Sequence, residues 1–168
     1  MSRRWIAGAA TTLALFTVMA TLPAAADSAS HDAMHYASGD YHTHTAGLFV
    51  GGASDDLGKR EGFALGLEYE YRFDRRFGIG FMLEHTYGEM DTWVYVMPLA
   101  YHIGRWKLYA APGVEDGHHG AENMLRVGFE YGIHVNKWEI SPQIDLDVVE
   151  RERDVFVIGL TFARGFDF

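Results

Sequence analysis

The sequence predicts an all-β protein, an eight-stranded antiparallel up-and-down transmembrane β-barrel. Three observations predict it. Large apolar side chains recur at every second position through nearly all of residues 45–168, the period of a strand with two unlike faces. The positions between them hold Gly, Ala, Ser, Thr or ions instead of more bulk. Short polar turns interrupt the periodic runs at regular intervals, as in a chain of hairpins.

Volume decides which face points inward. A soluble barrel would turn its apolar face in, and a membrane barrel would turn it out. Eight strands enclose a space only just wide enough for side chains to fill. In FALGLEYEYRF the residues Phe63, Leu65, Leu67, Tyr69, Tyr71 and Phe73 are too large to share that space with similar rows from seven other strands. The opposite row, Ala64, Gly66, Glu68, Glu70 and Arg72, does fit. The bulky face therefore points outward, and only lipid tolerates such an exterior.

Residues 1–26 read as a cleavable signal peptide. Arg3 and Arg4 give a basic start, residues 6–22 are uncharged, and Ala24-Ala25-Ala26 offers a small-residue cleavage site before Asp27. The run is about long enough to span as an anchor, but the cleavage site favours removal. The remaining 142 residues suit one domain. Without Arg3 and Arg4 the basic side chains fall from 14 to 12 against 23 acidic ones, and the net charge from -9 to -11. That excludes nucleic acid as an expected partner. An exported chain could use disulfides, yet there is no cysteine, so closure must come from the sheet itself.

Residues 27–44 form a polar lead without period, DSASHDAMHYASGDYHTH, expected to be a flexible periplasmic tail. His31, His35, His42 and His44, with Asp32 and Met34, are imidazole-rich enough to suggest weak binding of a divalent transition metal. Their spacing is irregular and fits no defined site, so a solvated tail is the first expectation. No other cofactor is expected. His118 and His119 in a later loop are a weaker candidate of the same kind.

The barrel is expected over residues 45–168. A first strand lies around residues 45–53, with a parity that the residues leave open. Phe63 to Phe73 follows, then Phe77 to Leu83, Trp93 to Ile103, Trp106 to Val114, Leu125 to Val135, Trp138 to Val148 and Phe156 to Phe162. Strands of this length, about 9–13 residues, match tilted membrane strands. Asp74-Arg75-Arg76, Gly104-Arg105 and Asn136-Lys137 are the tight turns of one end, and slightly longer acidic or Gly-rich joins occupy the other. Tyr71, Phe73, Phe77, Tyr101, Trp106 and Trp138 suggest one interfacial aromatic girdle. Pro98, Pro112 and Pro142 each remove a ladder donor inside a strand, for which local bulges or lumen water are the expected remedies.

The small-residue face defines the candidate site. Glu68, Glu70, Glu84, Glu115, Glu130, Glu139, Asp145 and Asp147 share it with Arg72, Lys107, Arg126, His102 and His134. Unpaired ions in a narrow bore are costly, so Glu68, Glu70, Arg72, Glu84, Lys107, Arg126, Glu130 and Asp145 are expected to form a charge network that plugs the lumen. The alternative use is a narrow polar path, favouring cations because acids outnumber bases.

Signal peptide, eight alternating strands, short turns at one end and a closing Gly165-Phe166-Asp167-Phe168 together resemble the small eight-stranded outer-membrane β-barrels of the OmpA/OmpX-like class. The resemblance covers about residues 45–168. It implies residence in the outer membrane of a Gram-negative bacterium, contact with lipid and lipopolysaccharide, and a monomer. It also implies that the barrel assembly machinery recognises the last strand through Phe166 and Phe168. Arg164 departs from the pattern by standing in the outward row; it can snorkel to the interface, or a bulge at Gly165 can re-aim it. A structural, non-enzymatic role is implied, with a small porin-like channel or a metal-binding outer-membrane protein as alternatives. Lipid A-modifying barrels carry a His and a Ser two apart on the outer face, and this chain has no H-x-S.

Overall fold

The computed structural model describes residues 41–55, 59–118, 120–150 and 153–168; the signal peptide, His31 and His35 lie outside them. Among the described residues every regular element is a strand. β1 is His44–Asp55, β2 Arg60–Arg72, β3 Phe77–Gly88, β5 Trp106–Gly117, β7 Trp138–Val149 and β8 Arg153–Phe166. Two more strands are each written in two pieces: β4 as Thr92–Val96 and Leu99–Ile103, β6 as Gly120–Tyr131 and Ile133–Val135. Each strand pairs antiparallel with its sequence neighbours, and β1 pairs with β8, so the sheet closes.

The pairing is regular around the whole circuit. Partners of His44 run through Tyr71, Ile79, Leu99, Ala110, Val127, Leu146 and Phe156, and return to β1 at Ser54, ten residues further on. With eight strands, that stagger and ordinary strand spacing give a tilt of about 40°. No bulge interrupts any pair. This corrects one of the two remedies expected for the prolines, the local bulge. Val96 and Leu99 keep one register with β3, at Met82 and Ile79, and one with β5, at Gly113 and Ala110. Pro98 lacks a donor, but its carbonyl accepts from the Gly80 N–H at 2.9 Å, and the Met97 N–H donates to the Pro112 carbonyl at 3.0 Å. Pro142 stays opposite Leu160. The same regularity settles Arg164: Thr45 opposes Gly165 in an unbroken ladder, so Gly165 forms no bulge and Arg164 stays exposed on the outward row.

The strands run further than the alternation indicated. β5 continues to Gly117 and β6 starts at Gly120, which leaves a two-residue connection where a longer join was expected. Even the longest join at that end leaves only residues 56–59 between β1 and β2. His44 opens β1 and does not belong to the lead. At the opposite end, Asn136 adopts φ 58° and Gly104 φ 60°, the left-handed backbone that tight two-residue hairpins demand.

The outward face is apolar as predicted. Leu67 is 59% exposed and Ile158 63%, values that only a lipid environment explains on this scale. The expected girdle forms at the turn end, where Phe77 lies 5.1 Å from Tyr101 and Trp106 lies 4.7 Å from Tyr131. A second aromatic group, which the sequence reading missed, lies at the loop end of β2, β3 and β4 with Phe63, Tyr87, Trp93 and Tyr95.

Candidate functional site

The lumen is divided along its length. Part of its wall is apolar, and buried Asp55, Thr86, Thr92 and Glu115 lie toward the loop end. Ala53, Ala64, Val155, Val157 and Met90 pack around Phe49, while Met82, Val94, Val96, Met124 and Val149 fill the adjoining wall. Phe49 fixes the parity of β1, and with Tyr109 it is one of two aromatic rings among the buried lumen residues. Glycine makes room for it: a Cβ at Gly159 would lie 2.5 Å from Phe49 Cε2, and one at Gly51 2.5 Å from its Cζ. At the rim, Asp55 is buried and ion-paired with Arg60.

Beside that apolar packing, at mid-depth, sits Arg126, with no exposed surface. Its Nε and Nη2 donate to the two carboxylate oxygens of Asp147 at 2.6 and 2.7 Å, and its Nη1 and Nη2 donate to Glu84 at 3.0 and 3.2 Å. A planar fork with five donors is what lets one cation serve two carboxylates. β6 presents Arg126 directly beside Asp147 on β7, and Glu84 reaches it from β3.

A neutral relay follows. The Gln143 amide donates to Asp145 at 2.7 Å and to the Tyr109 hydroxyl at 2.9 Å, while the Tyr109 hydroxyl donates to Asp145. Thr161 lies 2.7 Å from the Gln143 carbonyl oxygen and 3.1 Å from Glu68. Nearest the turns, Lys107 Nζ meets Glu130 at 2.5 Å and Glu70 at 3.7 Å, and His102 Nε2 lies 2.6 Å from the other oxygen of Glu70.

The predicted lumen residues are therefore brought together, but as two ionic clusters joined by hydroxyl and amide groups and not as one network. Tyr109, Gln143 and Thr161 were missed because each is neutral; their place on the lumen parity was the available signal. Among the described residues Arg72 makes no ion pair. Its Nη2 donates to the Arg75 carbonyl at 2.7 Å and its guanidinium lies over the Tyr41 ring at 5.0 Å. Ser141 bonds to Glu139 at 3.0 Å, and Glu139 lies 3.0 Å from His134.

His42 and His44 do not converge. His42 Nδ1 lies 2.8 Å from Asp167 and its ring covers Gly165, whereas His44 points to the other side, 2.7 Å from the Tyr69 hydroxyl and stacked on Phe166 at 5.6 Å. Among the described residues no group of three or more His, Asp or Glu side chains is placed to hold a metal ion. Asp167 instead clasps the two ends of the barrel. The Thr43 N–H at 2.7 Å, and His42 after it, hold its carboxyl below the usual carboxylate range. Phe168 is fully exposed, edge-on to His44 at 5.1 Å.

Beyond the Lys107 cluster the lumen opens at the turn end into a vestibule of about 570 Å³. Its floor is Glu68, Glu70, Lys107 and Glu130, and its mouth carries Arg72, Arg75, Arg76 and Arg105. No sequence signal marked this cavity, because three of those arginines sit in or beside turns.

The fold is that of a small eight-stranded transmembrane β-barrel. No family model and no curated protein matches the chain. Among solved structures it is similar to a de novo designed transmembrane β-barrel, with 9% identity, a TM-score of 0.51, and coverage of 74% of this chain and 98% of the design. Similarity extends to Ail, the attachment invasion locus protein of Yersinia pestis, at 16% identity and TM-score 0.47, over 73% and 99% of the two chains. OprG from Pseudomonas aeruginosa matches at 13% identity and TM-score 0.46, over 75% and 98%.

Proposed function

We propose that this chain is a monomeric, non-enzymatic outer-membrane barrel with a structural or protective role and a lumen closed to solutes. The observation that carries the reading is the filled cross-section formed by Phe49 and its apolar neighbours beside the buried Arg126–Glu84–Asp147 triad. The lipid-facing exterior and the aromatic groups at both ends support residence in a bilayer. Outer-membrane barrels place short turns in the periplasm, which orients the vestibule toward that side. The partners of this reading are lipid and lipopolysaccharide along the wall, and the assembly machinery at the terminal strand. Among the described residues the lumen serine Ser141 bonds to Glu139 and not to a histidine, which supports a non-enzymatic reading.

Planar-bilayer recording of the refolded barrel tests the reading. Negligible conductance is expected at neutral pH. Phe49→Ala should introduce a small leak, because it empties the aromatic slot. Large, stable wild-type currents would replace the closed barrel with a pore.

A further inference from the structure

We propose that the turn-end vestibule is a binding site for a small organic anion bearing carboxylate or phosphate groups. The inference rests on the closed-lumen reading only in that the cavity is a dead end and not a passage.

Three features point to the ligand class. First, three of the rim arginines have no carboxylate partner. Among the described residues no carboxylate lies within ion-pair distance of Arg72, Arg75 or Arg76, although four acids line the same cavity. Those acids are already engaged: Glu70 with His102 and Lys107, Glu130 with Lys107, Glu139 with His134, and Glu68 with Thr161. Second, Arg72 Nε is buried with no hydrogen-bond partner, a donor whose desolvation nothing in the chain offsets.

Third, the rim is held in place before any ligand arrives. Asp74 accepts from the Arg76 N–H at 2.9 Å, the Arg76 carbonyl accepts from the His102 N–H at 2.7 Å, and the Arg75 carbonyl accepts from Arg72. The β2–β3 turn is thus fastened over the mouth with its guanidinium groups left available. Planar forks of this kind pair with carboxylate and phosphate oxygens in a bidentate manner. The cavity volume falls in the usual range for small-molecule sites, too large for a bare inorganic ion to fill. Met82, Pro98 and Ala100 on the wall give an organic body something to lie against.

The test is a titration of the refolded mature chain in zwitterionic bicelles with citrate, read by amide and arginine Nε–H resonances. Saturable shifts are expected at Arg72, Arg75 and His102. Arg72→Gln should weaken binding roughly tenfold or more, in line with loss of a charge-assisted pair. Arg75→Gln combined with Arg76→Gln should do the same without touching the packing of Arg72, which keeps the test valid if Arg72→Gln folds poorly. Arg164→Gln is the control, since that arginine stands on the lipid-facing row at the same end. Equal weakening by Arg164→Gln would reduce the effect to a diffuse positive field and overturn the proposal, as would shifts that never saturate. Phosphatidylglycerol added to the bicelles should move only outward residues such as Arg164 and Phe166. If it moves the vestibule resonances while citrate does not, the site belongs to a lipid headgroup and the free-anion proposal fails. Large bilayer currents would overturn the closed lumen without touching this result.

Discussion

Removing the Arg126 side chain should be the most damaging single change in the lumen. Arg126 has no exposed surface, and Glu84 and Asp147 are 3% and 1% exposed. The substitution Arg126→Ala deletes four charge-assisted hydrogen bonds at 2.6–3.2 Å. It also leaves two carboxylates facing each other without a cation. Breaking a buried pair by removing one partner costs about 3–5 kcal/mol. Because this removal strands two acids at once, a loss of about 5 kcal/mol is expected, at the upper end of that range. Arg126→Lys should fall between, since one ammonium cannot fork to both carboxylates. The combined variant Arg126→Met, Glu84→Gln, Asp147→Asn separates burial cost from pairing. Neutral groups of similar size often replace a buried ionic set with little loss, so it should recover to within about 2 kcal/mol of wild type. Urea titration of vesicle-embedded barrel, followed by heat-modifiable gel migration, reads all three. If Arg126→Ala unfolds within about 1 kcal/mol of wild type, or the triple variant is less stable than the single, the reasoning from buried pairing is wrong.

Leu67→Arg should lose about 2–4 kcal/mol by placing a charge on the lipid face; an unchanged urea midpoint would mean that this face does not meet lipid. The Asp167 clasp has a definite pH sign. Its carboxyl is held below its ordinary value of 3.8, so its stabilisation is present above that value and is lost as pH falls through the lower, folded one. Carboxyl NMR titration should show the depressed value, and Asp167→Asn should abolish the corresponding acid-side loss of stability; a normal titration would remove the clasp. Deleting Phe168 should slow assembly into membranes while leaving urea stability nearly unchanged, because its ring touches only His44 and Phe166; assembly at the wild-type rate would remove the terminal-strand reading.

Much of this barrel is written in local pattern. Period-two alternation is a property of each strand alone, so the strand count, the outward direction of Leu67 and Phe81, and the lumen parity of Glu84, Arg126 and Asp145 follow from residue size and the narrowness of an eight-stranded bore. Tight turns at Gly104 and Asn136 are equally local. Other facts depend on which strands stand opposite each other across the lumen, and no single strand contains that information. The parity of β1 was ambiguous because Phe49 faces inward, a choice made possible by Gly159 on β8 and Gly51 beneath its ring. Whether the ions form one network or two depended on Gln143, Thr161 and Tyr109 meeting between them. The prolines looked disruptive from the chain alone, but the register passes through them, since losing one N–H donor does not shift the pairing of its neighbours. Arg72 reads as a lumen ion by parity, yet the tilt carries it to the mouth beside Arg75 and Arg76. A cavity is a property of closure: Arg72, Arg75 and Arg76 share one hairpin, but only the joining of β1 to β8 enclosed the space they face with Lys107, Glu130 and Thr161.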